Sequence, residues 1–396
     1  MAHFSSAEHL MWEKSPKASR LRISDEDINS KYTTRELRIV TESNREQLPN
    51  FVEALKRSGW MELRPFYQRR PRWDPIRQSK LIESFVMNIP VPPLFVFESD
   101  LAKYEVMDGQ QRITAILDFY KNKLKLEGLE QWPELNGRIY DTLPSEIKKG
   151  IDRRSISYIV LLKESATTSE EESILRQEVF ERLNTGGVRL SQQEVRNALY
   201  QSKFNSLLLD LVKNAIFRKS WLLPSYSESA EKNRDEELVT HRLYVAMRDV
   251  EIVLRFFALR HIEHYQRGMK GFLDLYMIRA RSFSNEDIAF LRTTFDRTLE
   301  LGSAIYQDVF LRPWVPSEKI WANRPHIAFA DAVMVGISRH LENAQRLIES
   351  RNSIIEKTKE LFEQHESGTF TGRGNSKSDV QDRIDLFDKM ISQHIS

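Results

Sequence analysis

The stretch YEVMDGQQRITAILDFY, residues 104–120, sets a polar knot of Asp108, Gly109, Gln110, Gln111 and Arg112 between two apolar segments. Before the knot, YEVM (104–107) has the composition of a short strand. After it, Ile113, Ile116, Leu117 and Tyr120 recur at i, i+3, i+4 and i+7, the spacing that lines one face of a helix. The knot therefore sits on a strand-to-helix turn. Just upstream, PLFVF (93–97) is a second β-type run, and the polar connection ESDLAK (98–103) has hairpin length, which predicts antiparallel pairing of the two.

A helix start leaves backbone N–H groups without partners and carries the positive end of the helix dipole, so an anion is favoured there. Gly109 permits a tight turn and close approach of a ligand to the backbone. Arg112 has the fork geometry that matches phosphate oxygens, and the amides of Gln110 and Gln111 suit a water or a sugar hydroxyl. Asp108 is the odd member, because a carboxylate beside a phosphate is repelled unless a divalent cation or a transferable proton lies between them; it reads as a metal ligand or a general base. The inert alternative is a capping Asp108 paired with Arg112 across one turn.

Around this turn, residues 60–163 mix short β-type runs, among them SYIVLL (157–162), with helical stretches. The first fifty residues are polar, with Ser/Asp-type helix starts and little apolar periodicity, and read as an arm or a partly helical lead-in. From Phe204 onward helical periodicity dominates; Leu243, Met247, Val250, Leu254 and Phe257 step by fours and threes as a packing seam does. The expected division is an arm (1–50), a mixed α/β domain (51–200) and a mainly helical domain (201–396).

Composition narrows the chemistry. The 396 residues carry 59 basic and 57 acidic side chains, a formal charge of +2, so affinity for nucleic acid must come from local clustering. With no cysteine there is no disulfide, thiolate nucleophile, iron–sulfur cluster or Cys-dependent zinc site, which fits a reducing cytoplasm. No apolar run approaches the ~18 residues of a membrane span, and the first twenty residues lack a signal-peptide core, so no membrane partner is expected.

Four blocks then line up in one order: RPFYQRRPRW (64–73), NIPVPPLFVF (88–97), DGQQR (108–112) and FERLNTGGVRLSQQEVR (180–196). Together they resemble the N-terminal domain of GmrSD-type restriction endonucleases, over residues 60–200. The resemblance implies a small α/β fold grouped with ParB and sulfiredoxin. It also implies a site directed at nucleotide or DNA phosphate, in proteins that defend bacteria against foreign DNA by NTP hydrolysis, DNA cleavage or nicking. Asp108 to Arg112 match the central motif without substitution, and Tyr67, Gln68 and Arg69 match its upstream YQR element. Longer members add a His-Asn-His nuclease domain of the ββα-metal type, and residues 200–396 show no paired His and Asn on a hairpin-plus-helix pattern. That departure leaves three readings: the first domain cleaves, a partner nuclease subunit or second copy cuts, or the protein binds and hydrolyses nucleotide without cutting.

Other constellations support a nucleic-acid partner. RPFYQRRPRWDPIRQSK (64–80) sets Arg64, Arg69, Arg70, Arg72, Arg77 and Lys80 against the single acid Asp74, with Phe66, Tyr67 and Trp73 interleaved. Guanidinium groups bind phosphates and aromatic faces stack on bases; a core role for Tyr67 and Trp73 is the bland alternative. Asn184 and Thr185 lie on a Gly-containing turn suited to contact ribose or base, ahead of a Ser191/Glu194 capping box. TGRGNSKSDVQDR (371–383) offers Arg373, Lys377 and a Ser378/Gln381 cap as a second anion cradle or a connection to a terminal helix. His261 and His264 are spaced to share a metal, but no third ligand is near in sequence. The expected cofactors are Mg²⁺ or Mn²⁺, with an NTP as substrate or effector. The mechanism expected is hydrolytic phosphoryl chemistry, with two rivals: a non-catalytic DNA-binding or nucleotide-sensing module, and an interaction protein whose helical half docks a partner.

Overall fold

The computed structural model describes residues 4–13, 24–26, 29, 40–57, 59–63, 73–162, 169–183, 191–227, 236–366, 368–372 and 374–395. The chain divides into an α/β unit, residues 19–190, and a helical unit that is discontinuous in sequence, residues 1–18 and 191–396. A short helix, α1 (Ser6–Leu10), opens the chain and belongs to the helical unit.

The α/β unit runs β1 (Thr41–Gln47), α2 (Leu48–Ala54), β2 (Met61–Glu62), α3 (Pro75–Val86), β3 (Leu94–Asp100), β4 (Lys103–Asp108), α4 (Gln110–Tyr120), α5 (Ser145–Asp152), β5 (Ser155–Leu161) and α6 (Ser169–Leu183). Its strands form one mixed sheet in the order β1-β5-β3-β4-β2. The expected hairpin is β3–β4, antiparallel and turning at Leu101 and Ala102, where Ala102 takes φ 56°. β5 lies parallel to β3, and β2 parallel to β4. Leu94, Val96 and Val106 of the sheet pack with Ile82 and Phe85 of α3 and with Ile113, Ile116 and Phe119 of α4 in one buried core. Each such side chain contributes about 1.5–3 kcal/mol through burial. α3 starts cleanly because Asp74 accepts the Arg77 N–H at 2.7 Å and Pro75 needs no donor in the first turn.

β1 corrects the reading of an arm over residues 1–50. TESNREQ has no apolar alternation and stays largely exposed, yet it pairs with β5 over seven residues, from Thr41↔Leu161 to Gln47↔Ser155. Backbone pairing at a sheet edge needs no hydrophobic pattern, so the composition is silent about it. The boundary expected after residue 50 falls inside α2, whose Leu48 and Phe51 are fully buried.

In the helical unit, Val250, Leu254 and Phe257 are fully buried on the helix Arg248–Leu259. The expected seam is interrupted at Met247, which takes φ 51° between two helices while remaining buried. The beginning of the chain is a core component of this unit. Glu8 is 0 % exposed and accepts from Arg260 (3.0 Å), His261 (3.1 Å) and the Tyr276 hydroxyl (3.4 Å). Trp12 stacks on His264 at 4.6 Å, so His261 and His264 serve as anchors for the N-terminal segment.

A small hairpin, β6 (Trp314–Val315) with β7 (Ile320–Trp321), precedes the helix Ile327–Ser338, a hairpin-plus-helix succession that the sequence reading did not find. Its rings pack together, with Trp314 and Trp321 5.5 Å apart, and His326 caps the helix by accepting the Ala328 N–H through Nδ1. Among the described residues, no three of His, Asp and Glu gather where they would hold a metal ion. No described helix is long and apolar enough to cross a membrane.

Candidate functional site

The knot lies where β4 ends and α4 begins. The β3–β4 ladder pairs Val96 with Val106 and Phe95 with Asp108, so Met107 is an extra residue on β4, a bulge immediately before Asp108. Bulges bend a strand and re-aim the side chain that follows. Gly109 then takes φ 96° as the N-cap of α4. A Cβ there would overlap Leu94 Cδ2 and stand 3.1 Å from Arg112 Nη2, so both the backbone conformation and the packing demand glycine.

Asp108 and Arg112 form an ion pair across the first turn, with Nη2 donating to Oδ2 at 2.6 Å. The two side chains differ sharply in accessibility: 48 % for Asp108 and 11 % for Arg112. Arg112 Nη1 donates to the carbonyls of Pro92 and Pro93, the latter at 3.2 Å. Burial pulls the Arg112 guanidinium below its ordinary pKa, while Asp108 acts in the opposite direction; an arginine in this setting stays charged. Gln111 Oε1 accepts the backbone N–H of Trp73 at 3.1 Å, tying the start of α4 to the entry of α3. Gln110 is half-buried, and its carbonyl accepts the Thr114 hydroxyl at 2.9 Å. Among the described residues no side chain caps α4, in contrast with α3, which Asp74 caps.

Asp108 to Arg112 are thus contiguous around one exposed carboxylate. Trp73 is half-buried against the α/β core and joins the site through its backbone. Arg64, Tyr67, Gln68, Arg69, Arg70, Arg72, Asn184, Thr185 and Arg373 lie outside the described residues. Lys377 is exposed on the helical unit, where its ammonium donates to the Glu263 carbonyl at 2.5 Å. The terminal helix begins at Lys377 with a Ser376/Asp379 capping box in place of the expected Ser378/Gln381 one. An aspartate at the third helical position answers the dipole better than a glutamine, and its carboxylate occupies the helix head that was read as an anion cradle. The Ser191/Glu194 box has the expected partners, with Glu194 N–H to Ser191 Oγ at 3.2 Å and Ser191 N–H to Glu194 Oε2 at 2.7 Å.

Sequence reasoning missed the carbonyls of Pro92 and Pro93 as the seat of Arg112. The signal was present in NIPVPP: Pro90, Pro92 and Pro93 lack N–H groups and so interrupt any regular ladder, which leaves carbonyls of this stretch open to a side-chain donor.

The class of protein follows from these features: a mixed α/β sheet domain, joined to a helical unit, that presents a carboxylate at a glycine-formed strand-to-helix turn. Residues 48–201 match the family model described as GmrSD restriction endonuclease, N-terminal domain, and the chain contains a domain of that type over this range. No curated protein and no solved structure matches the chain.

Proposed function

We propose that the protein is a restriction-type defence hydrolase acting on phosphate esters of nucleotide or DNA at the Asp108–Arg112 turn, on a ParB/sulfiredoxin-like scaffold in the cytoplasm. The observation that carries this reading is the exposed Asp108 carboxylate at the head of an 11-residue helix whose cap residue, Gly109, brings no side chain of its own. A helix head favours a phosphate, and a carboxylate at its edge is the group that then manages a cation or a proton. The family match supports DNA as the partner.

One carboxylate together with substrate phosphate oxygens is an ordinary ligand set for Mg²⁺, and Asp108 is the described residue that would hold it or Mn²⁺. Such an ion supplies neutralisation of phosphate charge. Asp108 otherwise serves as the base for the attacking water, which Gln110 orients. In the same reading Tyr67, Gln68, Arg69, Asn184 and Thr185 contact the nucleotide, and Arg64, Arg70, Arg72 and Trp73 contact DNA. An NTP is substrate or effector, and a partner nuclease subunit or a second copy of the chain completes cleavage where the first domain does not cut. The test is incubation with each NTP, Mg²⁺ or Mn²⁺ and supercoiled plasmid, scoring phosphate release and nicking separately. Folded Asp108→Ala protein that retains full activity in both overturns the reading.

The short Asp108–Arg112 pair favours a second reading, a non-catalytic module that grips DNA or senses nucleotide, because one carboxylate oxygen is already satisfied. That reading expects salt-sensitive DNA binding without turnover under any divalent metal.

A further inference from the structure

We infer that the five-residue turn is divided between two tasks: Arg112 and Gln111 are positioning residues that fasten the turn to its neighbouring loops, while the exposed Asp108 carboxylate is left to act at the phosphate. The inference rests on the hydrolase reading of this site and departs from the direct role in phosphate binding that the Arg112 fork suggests in sequence.

The reason is where the guanidinium lies. Its side chain is 11 % exposed, and it sits beneath the turn, with Nη2 and Cζ at 3.1 and 3.3 Å from the point where a Gly109 Cβ would stand. Its Nη1 serves the Pro92 and Pro93 carbonyls, and its Nη2 serves Asp108. Three of the guanidinium's five N–H groups are committed to these acceptors, and with only 11 % of the side chain exposed beneath Gly109 the remainder offers a phosphate no open fork. Left in place, Arg112 locks the 88–93 loop and Asp108 into one geometry, the kind of support that a reacting group needs to be held within fractions of an ångström. Gln111 does the same on the other side, its carbonyl oxygen holding the Trp73 N–H one residue before the Asp74 cap of α3. The motif's last two side chains thus tie it to two loops that are 20 and 38 residues away in sequence.

The test uses the full chain, ATP with Mg²⁺, and the variants Asp108→Asn, Arg112→Lys, Arg112→Met and Asp108→Asn/Arg112→Met. Arg112→Met is expected to lower kcat for phosphate release by about 10–100-fold while KM and ATP affinity change by less than about threefold. Arg112→Lys recovers part of kcat, since one ammonium meets Asp108 but cannot also reach both proline carbonyls. The double variant loses no more than Asp108→Asn alone, because Arg112 acts through Asp108. Arg112→Met also lowers the thermal midpoint by about 4–8 °C, more than Asp108→Asn does. A rise of about tenfold or more in the ATP dissociation constant in either Arg112 background places the guanidinium on the phosphate and overturns the inference. A thermal midpoint for Arg112→Met equal to wild type does so as well. If Asp108→Asn keeps wild-type turnover, it is the hydrolase reading that falls, and the Arg112 assignment is still decided by affinity and melting.

Discussion

The α/β unit and the helical unit each hold a carboxylate against an arginine, and the two pairs serve opposite ends. In the helical unit, Glu8 and Arg260 are 0 % and 4 % exposed, and the carboxylate is enclosed by His261, Tyr276 and the backbone of Ser5. At the turn in the α/β unit the arginine is sealed, but half of the Asp108 side chain faces solvent. A sealed carboxylate has spent its bonding capacity on the fold. A half-open one keeps an oxygen for a ligand, and burial together with the partners it brings separates the two cases, since each is a carboxylate against an arginine.

The largest effect should come from breaking the sealed pair. Glu8→Gln strands a buried guanidinium without its counter-charge, and the helical unit should lose about 3–5 kcal/mol in denaturant unfolding. The same pair sets an acid limit. Burial works against the ionised Glu8, but Arg260 and His261 outweigh it, and its pKa lies below the ordinary 4.5. The unfolded chain therefore binds this proton more readily than the folded one, so the pair's contribution is complete above about pH 4.5 and drains away as pH falls through the lower folded-state value. In Glu8→Gln protein that part of the acid slope should disappear; an unchanged slope would show that other carboxylates set it.

Next in size is Gly109→Ala, which forces a side chain into a positive-φ position against Leu94; about 2–3 kcal/mol of the α/β unit's stability should be lost. Gln111→Ala removes one hydrogen bond to the Trp73 backbone and should cost about 1 kcal/mol, visible as faster amide exchange at the start of α3. The smallest stability effect sharpens the comparison most: Asp108→Asn should stay within about 1 kcal/mol of wild type, as expected for a pair with a solvent-exposed partner, while phosphate release collapses. Loss of several kcal/mol on that change would make Asp108 another structural carboxylate and erase the contrast with Glu8.

Much of the site was legible in the chain itself. The hairpin, the strand-to-helix turn and the apolar face of α4 follow from short-range patterns at Leu94–Tyr120, and the resemblance of DGQQR and its flanking blocks pointed to the family domain that residues 48–201 match. β1 escaped notice because a polar edge strand is held by its backbone ladder, here with β5, which composition does not record. The bulge at Met107 escaped because a register shift leaves no mark in composition.

By itself the sequence determined which residues stand at the turn, that a glycine must make it, and that helical periodicity governs the C-terminal half. Those properties depend on local backbone preference and on the spacing of apolar side chains, which neighbours in the chain suffice to set. Tertiary structure alone decided whether each carboxylate meets water, with Arg112 drawn inward to Pro92 and Pro93 and Glu8 buried against Arg260, 252 residues away. Burial and charge pairing arise from groups that are distant in sequence, and their geometry exists only once each unit has folded.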